Sequence, residues 1–324
     1  MKELVNGKIL PCVGSIFKSR YIRFFISCFI LYFIFSSVDL PAVIELKDKV
    51  RFGYLILFLS ITFPMIWASS MKWRMFIPAS VTPPGIFTLM RFYTISYFIN
   101  LFFPSSFGGD AARSLKLGKI IENHKKAFVA TFFERLTGLF SLLVVGFIGA
   151  CFGDYQSSEI IYVIVPLFFC VVFALFALAS NKGNLFLKKI IAFLPTSKLK
   201  NKVLMIFNEP APSGLLKPKF FIKAMLWSFF FYFLAILNTY WALKTISVDT
   251  ISILDLSLVV PLVLLILTIP LTPGAIGVQE GAFFYFLTKL GAAAPEAIAV
   301  ALLFRIKTLL IALIGWLLTL KKET

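Results

Sequence analysis

Short polar breaks divide a chain that is otherwise almost continuously apolar. Apolar runs fall at about residues 22–38, 52–68, 86–103, 127–152, 158–179, 220–242, 253–272, 277–290 and 295–320. A run of roughly 20 apolar residues reads as a membrane helix, because a helix rises about 1.5 Å per residue across about 30 Å of hydrocarbon. The pattern predicts an all-α polytopic membrane protein forming one integral domain over residues 1–324. The first run has basic flanks and lacks a small-residue cleavage site, so it reads as a signal anchor. Two breaks are unusual. PSSFGGDAARSLK (104–116) follows the run 86–103, and 253–272 leads into PLTPGAIGVQEG (270–281). Each combines proline, glycine and an acid beside strongly apolar sequence.

Basic residues orient the chain. Five Lys or Arg lie in 1–23, two in 69–84 (Lys72 and Arg74), five in 113–126, eight lysines in 180–219 and two at the C-terminus. The alternate loops, 39–51, 153–157 and 243–252, hold four in all. The positive-inside rule then places both termini and the basic loop 180–219 in the cytoplasm, with the protein in the cytoplasmic (inner) membrane. Parity follows. Residues 69–84 and 113–126 share a face, so the segment between them goes in and returns. Residues 253–293 begin and end on the other face. The return arm carrying Asp110, Arg113 and Lys116 is too polar for lipid contact, which favours a re-entrant hairpin enclosed by protein. The expectation is about six full spans plus two re-entrant hairpins, or eight or more full spans. Halves 20–152 and 158–320 each read helix, helix, hairpin, helix in opposite orientation, which is the pattern of an inverted repeat with a central binding site.

Composition narrows the function. The chain is 60% hydrophobic with a mean hydropathy of +0.93, so its net charge of +17 reads as cytoplasmic-face and lipid-surface charge, not as a nucleic-acid interface. Four cysteines without C-x-x-C spacing and a single histidine, His124, indicate neither a disulfide framework nor a metal site, and no cofactor is expected.

Charges inside apolar runs carry more information. Glu134 and Arg135 lie in 127–152, Arg305 and Lys307 in 295–320, and Arg91 in 86–103. A charge at the centre of a span costs about 2.5–3.5 kcal/mol on insertion scales, so such residues face a bundle interior or cavity. Glu134, Arg135 and Arg305 are expected to do so, either as a ligand site or as a structural ion pair such as Glu134 with Arg305. Arg91 and Lys307 have snorkelling to an interface as an alternative, and for Arg91, about six residues into its run, the two readings weigh equally. Gly108 and Gly109 let backbone amides turn toward a ligand at a helix start, a natural anion site. Asp110 is open to two readings, a helix cap with Arg113 one turn on, or a ligand for a cationic group; Glu280 poses the same choice.

The pattern Asn100, Pro104, Gly108-Gly109-Asp110, Arg113, then Glu134-Arg135-x-x-Gly138, then PGAIGVQEG (273–281), resembles the lysylphosphatidylglycerol synthase transmembrane family from about residue 20 to 320. That resemblance implies a lipid translocase, flippase- or scramblase-like, handling a phospholipid or a lipid-linked precursor. Its implied partners are membrane lipids: an anionic or aminoacylated phospholipid, or a polyprenyl phosphate. Together with the residue reading, it nominates Asn100, Gly108, Gly109, Asp110, Arg113, Glu134, Arg135, Gly274, Gly277, Glu280 and Arg305 as head-group residues. In complete synthases of the family, aminoacyl transfer resides in a separate soluble domain. The last run ends four residues before Thr324, so that domain is expected to be absent and no catalytic residue is assigned. Two other readings stand beside this one: a membrane partner of a glycosyltransferase or lipid synthase, and a lipid-phosphate-processing enzyme.

Overall fold

The computed structural model describes residues 40–78, 80–103, 107–152 and 218–320, with single positions between 28 and 36 and at 166. The run 22–38 apart from those positions, the predicted span 158–179, loop 180–217, Pro104 and Lys321–Lys322 lie outside the described residues.

Ten α-helices and one 3-10 turn are described, and no strand: α1 Leu40–Glu45, the turn Leu46–Lys49, α2 Phe52–Ser60, α3 Thr62–Phe76, α4 Ile86–Asn100, α5 Phe107–Ile120, α6 His124–Phe152, α7 Pro218–Thr245, α8 Ile253–Ile266, α9 Val278–Lys289 and α10 Ala294–Leu320. Among the described residues, four stretches are long and apolar enough to cross a membrane: Phe52–Phe76 (α2 with α3), His124–Phe152, Lys219–Thr245 and Ala294–Leu320. This is an all-helical integral membrane architecture. The helices α4, α5, α8 and α9 have 15, 14, 14 and 12 residues. At about 1.5 Å per residue they reach about 18–23 Å, short of the roughly 30 Å of hydrocarbon.

Packing fixes helix directions. Helices α6 and α7 run in parallel, since Val129 and Ala130 cluster with Ala224, and Leu142 and Leu143 with Tyr232. The α2–α3 pair runs against α7: Arg51 N donates to Thr245 O (2.8 Å) at one end, and Phe76 clusters with Ala224 at the other. The start of α10 joins the end of α7, with Ala297, Val300 and Ala301 packed among Leu243, Ile246 and Val248. The last helix of each half then packs on the first short helix of the other half, α10 on α4 and α6 on α8. Both contacts use a glycine. A Cβ at Gly315 would collide with Thr94 O, and one at Gly149 would lie 2.5 Å from Ser257 Oγ.

The short helices therefore form two hairpins that start from opposite ends of the bundle. Arg91, near the start of α4, donates to Leu318 O at the end of α10 (2.9 Å). Helix α8 starts beside the end of α6, where Ala150 packs on Leu258 and Leu262. The loop ends touch: Gly274 N donates to Phe103 O (3.0 Å). Gly274 (φ 58°), Ala275 (φ 52°) and Gly277 (φ 83°) lie in the left-handed region, so this loop turns sharply before α9.

Two expectations need correcting. The second apolar run extends beyond 68 to Phe76, because its inward face continues through Ile66, Trp73 and Phe76. Lys72, counted above with a cytoplasmic loop, is thus inside this helix and 4% exposed. The run 253–272 is helical only to Ile266, and the rest forms the turn before α9.

Candidate functional site

Helices α3, α4, α5 and α6 converge on one guanidinium. Arg113, on α5, is 1% exposed. Its Cζ lies 4.6 Å from the Trp73 ring centroid and 4.3 Å from that of Tyr93, so the cation packs against both rings, which meet each other edge to face at 5.6 Å. Its Nη2 donates to Glu134 Oε2 (2.6 Å) and its Nε to Asp110 Oδ1 (3.0 Å). Asp110 also accepts a hydrogen bond from Arg135 Nη2 on Oδ1 (2.9 Å), and Arg135 Nε makes an ion-pair contact with its Oδ2 (2.6 Å). Lys72 Nζ stands 3.7 Å from Glu134 Oε1. Trp73 Nε1 and Ser114 Oγ both donate to Thr131 Oγ1 (3.0 and 2.7 Å), which fixes the indole that stacks on Arg113.

Three cations, Lys72, Arg113 and Arg135, thus face two carboxylates, Asp110 and Glu134, leaving one net positive charge. Arg113 Nη1 and the Tyr93 hydroxyl are buried with no hydrogen-bond partner among the described residues. The Arg135 side chain is 47% exposed, so the positive side of the cluster reaches the surface there. Removing solvent from unbalanced charge is costly, and an approaching anion would offset that cost.

The glycines position this cluster. Ser96 Oγ donates to Gly109 O (3.0 Å), and Gly109 N donates to Asn100 Oδ1 (2.6 Å). A Cβ at Gly109 would lie 2.6 Å from Asn100 Oδ1 and 2.7 Å from Ser96 O. Gly109 therefore permits close approach of α4 and α5, and its amide is capped by Asn100. The Asp110 carboxylate is held by two arginines.

Glu280 and Arg305 meet in a second cluster. Arg305 Nε and Nη2 donate to Glu280 Oε1 (2.5 Å) and Oε2 (3.0 Å). Its Nη1 and Nη2 also hold Gly274 O (3.0 Å) and Ala275 O (3.1 Å). Glu280 Oε2 accepts from Gly277 N (2.8 Å), which closes the start of α9. The suggested Glu134–Arg305 pair does not form. Glu134 pairs with Arg113 and Lys72, and Arg305 with Glu280.

A family model described as the lysylphosphatidylglycerol synthase TM region matches residues 20–315. The chain belongs to this family. No curated protein matches it. Membership makes this a membrane protein linked to lipid metabolism.

The eleven nominated residues of this family member sort into two groups. Asn100, Gly108, Gly109, Asp110, Arg113, Glu134 and Arg135 gather around hairpin α4–α5. Gly274, Gly277, Glu280 and Arg305 gather around hairpin α8–α9. Lys72, Trp73 and Tyr93 were not nominated, although the MKWRM stretch (71–75) continues an apolar face that signals burial. Lys307 does not snorkel. It is 6% exposed, and its Nζ donates to Phe58 O (2.6 Å) and Asn238 Oδ1 (2.7 Å).

Proposed function

We propose that this family member moves a lipid between leaflets, and that the lipid's anionic head group meets the cluster of Asp110, Arg113, Glu134, Arg135 and Lys72. The observation that carries this reading is the cluster's excess positive charge, buried on three sides and exposed at Arg135. A monoanionic phosphate would balance it while Asp110 and Glu134 keep the cations in place. Helices too short to cross, directed from opposite ends and touching at their tips, support two re-entrant hairpins inside a ring of longer spans. Irregular backbone is tolerated at membrane depth where protein encloses it. The reciprocal packing of α10 on α4 and α6 on α8 supports an inverted repeat. So does the spacing of the acid–arginine pairs, which are 25 residues apart in both halves. In this reading both termini are cytoplasmic, and the protein lies in the inner membrane.

Lipids retained by the purified wild-type protein and by Arg135→Gln test this directly when measured by mass spectrometry. Selective enrichment of one anionic lipid, lost in the variant, is the expected result. Bulk-membrane lipid in both samples would overturn the head-group assignment.

A further inference from the structure

The acid–arginine pairs of the two halves are in different states. Both arginines grip their carboxylate through Nε and Nη2. Arg305 also donates to the carbonyls of Gly274 and Ala275, through Nη1 and Nη2, and its side chain is 13% exposed. Arg135 makes no such carbonyl contact among the described residues and is half-exposed. The loop held by Arg305 is also an uneasy one. Ala275 has a Cβ yet adopts φ 52°, and Thr272 is 1% exposed with no partner for its Oγ1 among the described residues. Backbone in such a region persists only where its surroundings over-determine it. Here the surroundings are the Arg305–Glu280 clamp, the bond from Gly274 N to Phe103 O, and the local bonds from Ala275 N to Thr272 O, Ile276 N to Pro273 O and Gln279 N to Ala275 O.

We propose that Arg305 and Glu280 form a gate over a second oxyanion site, which the chain's own Gly274 and Ala275 carbonyls occupy in this structure. When the loop withdraws, Arg305 presents the donor pair that Arg135 already presents, and the buried Thr272 hydroxyl gains a polar partner. The two sites then serve a head group in turn, one open while the other is self-occupied. This rests on the head-group reading, but its test does not.

The reporter is Thr272→Cys in a protein whose Cys12, Cys28, Cys151 and Cys170 are serine. It is labelled in detergent micelles with a charged methanethiosulfonate. Glu280→Gln weakens the grip on Arg305 and is expected to raise the labelling rate roughly tenfold or more, the scale of one lost charge-assisted bond in a local opening. Asp249→Asn, which removes an exposed ion pair outside both clusters, is expected to leave the rate unchanged. Should Glu280→Gln fail to fold, Arg305→Lys substitutes for it, because a lysine keeps the charge but cannot form the planar fork. Labelling of the opened variant is then repeated with inorganic phosphate and with a short-chain anionic phospholipid. Slowing by the lipid alone assigns the site to a head group, and slowing by both assigns it to phosphate in general. Wild-type rates in the clamp variants would overturn the gate, and slowing by neither probe would overturn the oxyanion site. Failure of lipid retention at Arg135 leaves the labelling result intact, so the two readings fail separately.

Discussion

Replacing Arg113 with methionine removes the centre of the charge cluster while roughly conserving volume. Glu134 loses its 2.6 Å partner and keeps only Lys72 at 3.7 Å. Asp110 retains its ion pair with Arg135. Breaking one side of a buried ion pair costs about 3–5 kcal/mol. Losing a desolvated cation from the Trp73 and Tyr93 faces adds about 1–2 kcal/mol, partly offset by thioether packing on the same rings. The expected destabilisation is about 4 kcal/mol. Glu134→Gln alone keeps an acceptor for Arg113 and is expected to cost about 2 kcal/mol. The double variant should fall short of the sum by about 2 kcal/mol, because each single change strands the other's partner. Equilibrium unfolding in mixed micelles, followed by tryptophan fluorescence, measures all four corners of the cycle. Additivity within about 0.5 kcal/mol would refute the claim that these charges stabilise one another.

The remaining predictions concern other links in the structure. Gly109→Ala forces a Cβ to within 2.6 Å of Asn100 Oδ1 and should cost about 1–3 kcal/mol by overpacking. Gly85→Ala, with open space at the same test, should be near neutral by the same unfolding assay. At the other end of the bundle, Asp249 joins Lys244 and Arg51 (3.0 Å), and hydrogen bonds from Lys244 and then Arg51 hold its carboxyl below the ordinary carboxylate range. A lowered folded-state value stabilises the fold above the unfolded value of about 3.9, and that contribution drains away as pH falls through the folded value. Thermal unfolding of wild type and Asp249→Asn should therefore converge on acidification. A gap that stays constant down to about pH 3 would contradict the latch.

Hydropathy alone determined that this is a helical membrane protein, because apolar runs near 20 residues have no other stable use at that frequency. The sequence also placed Pro-Gly-acid breaks beside two apolar runs, and charges at Glu134, Arg135 and Arg305 within others. Helix limits were legible to within a few residues where the apolar run began sharply, as at Ala294, and not where a charge lay on a buried face. Lys72 looked like a loop charge because one-dimensional pattern weighs lysine as polar wherever it stands. Its burial depends on Glu134, 62 positions away, and on a glycine at 138 that leaves room for its amine.

Partner choice was decided only in three dimensions. From the sequence, Glu134 had several buried arginines to choose from, and nothing local favours Arg113 over Arg305. The crossing of α4, α5 and α6 does, because Gly109 lets the hairpin close tightly enough to bring Arg113 under Glu134. The difference between the halves was likewise invisible. Asp110–Arg135 and Glu280–Arg305 each pair an acid with an arginine 25 positions on. Only the folded loop sets Gly274 and Ala275 carbonyls against one arginine and leaves the other half-exposed. Apolar burial is local and additive along a chain, so sequence records it. Charge pairing depends on which helices cross, so tertiary structure decides it.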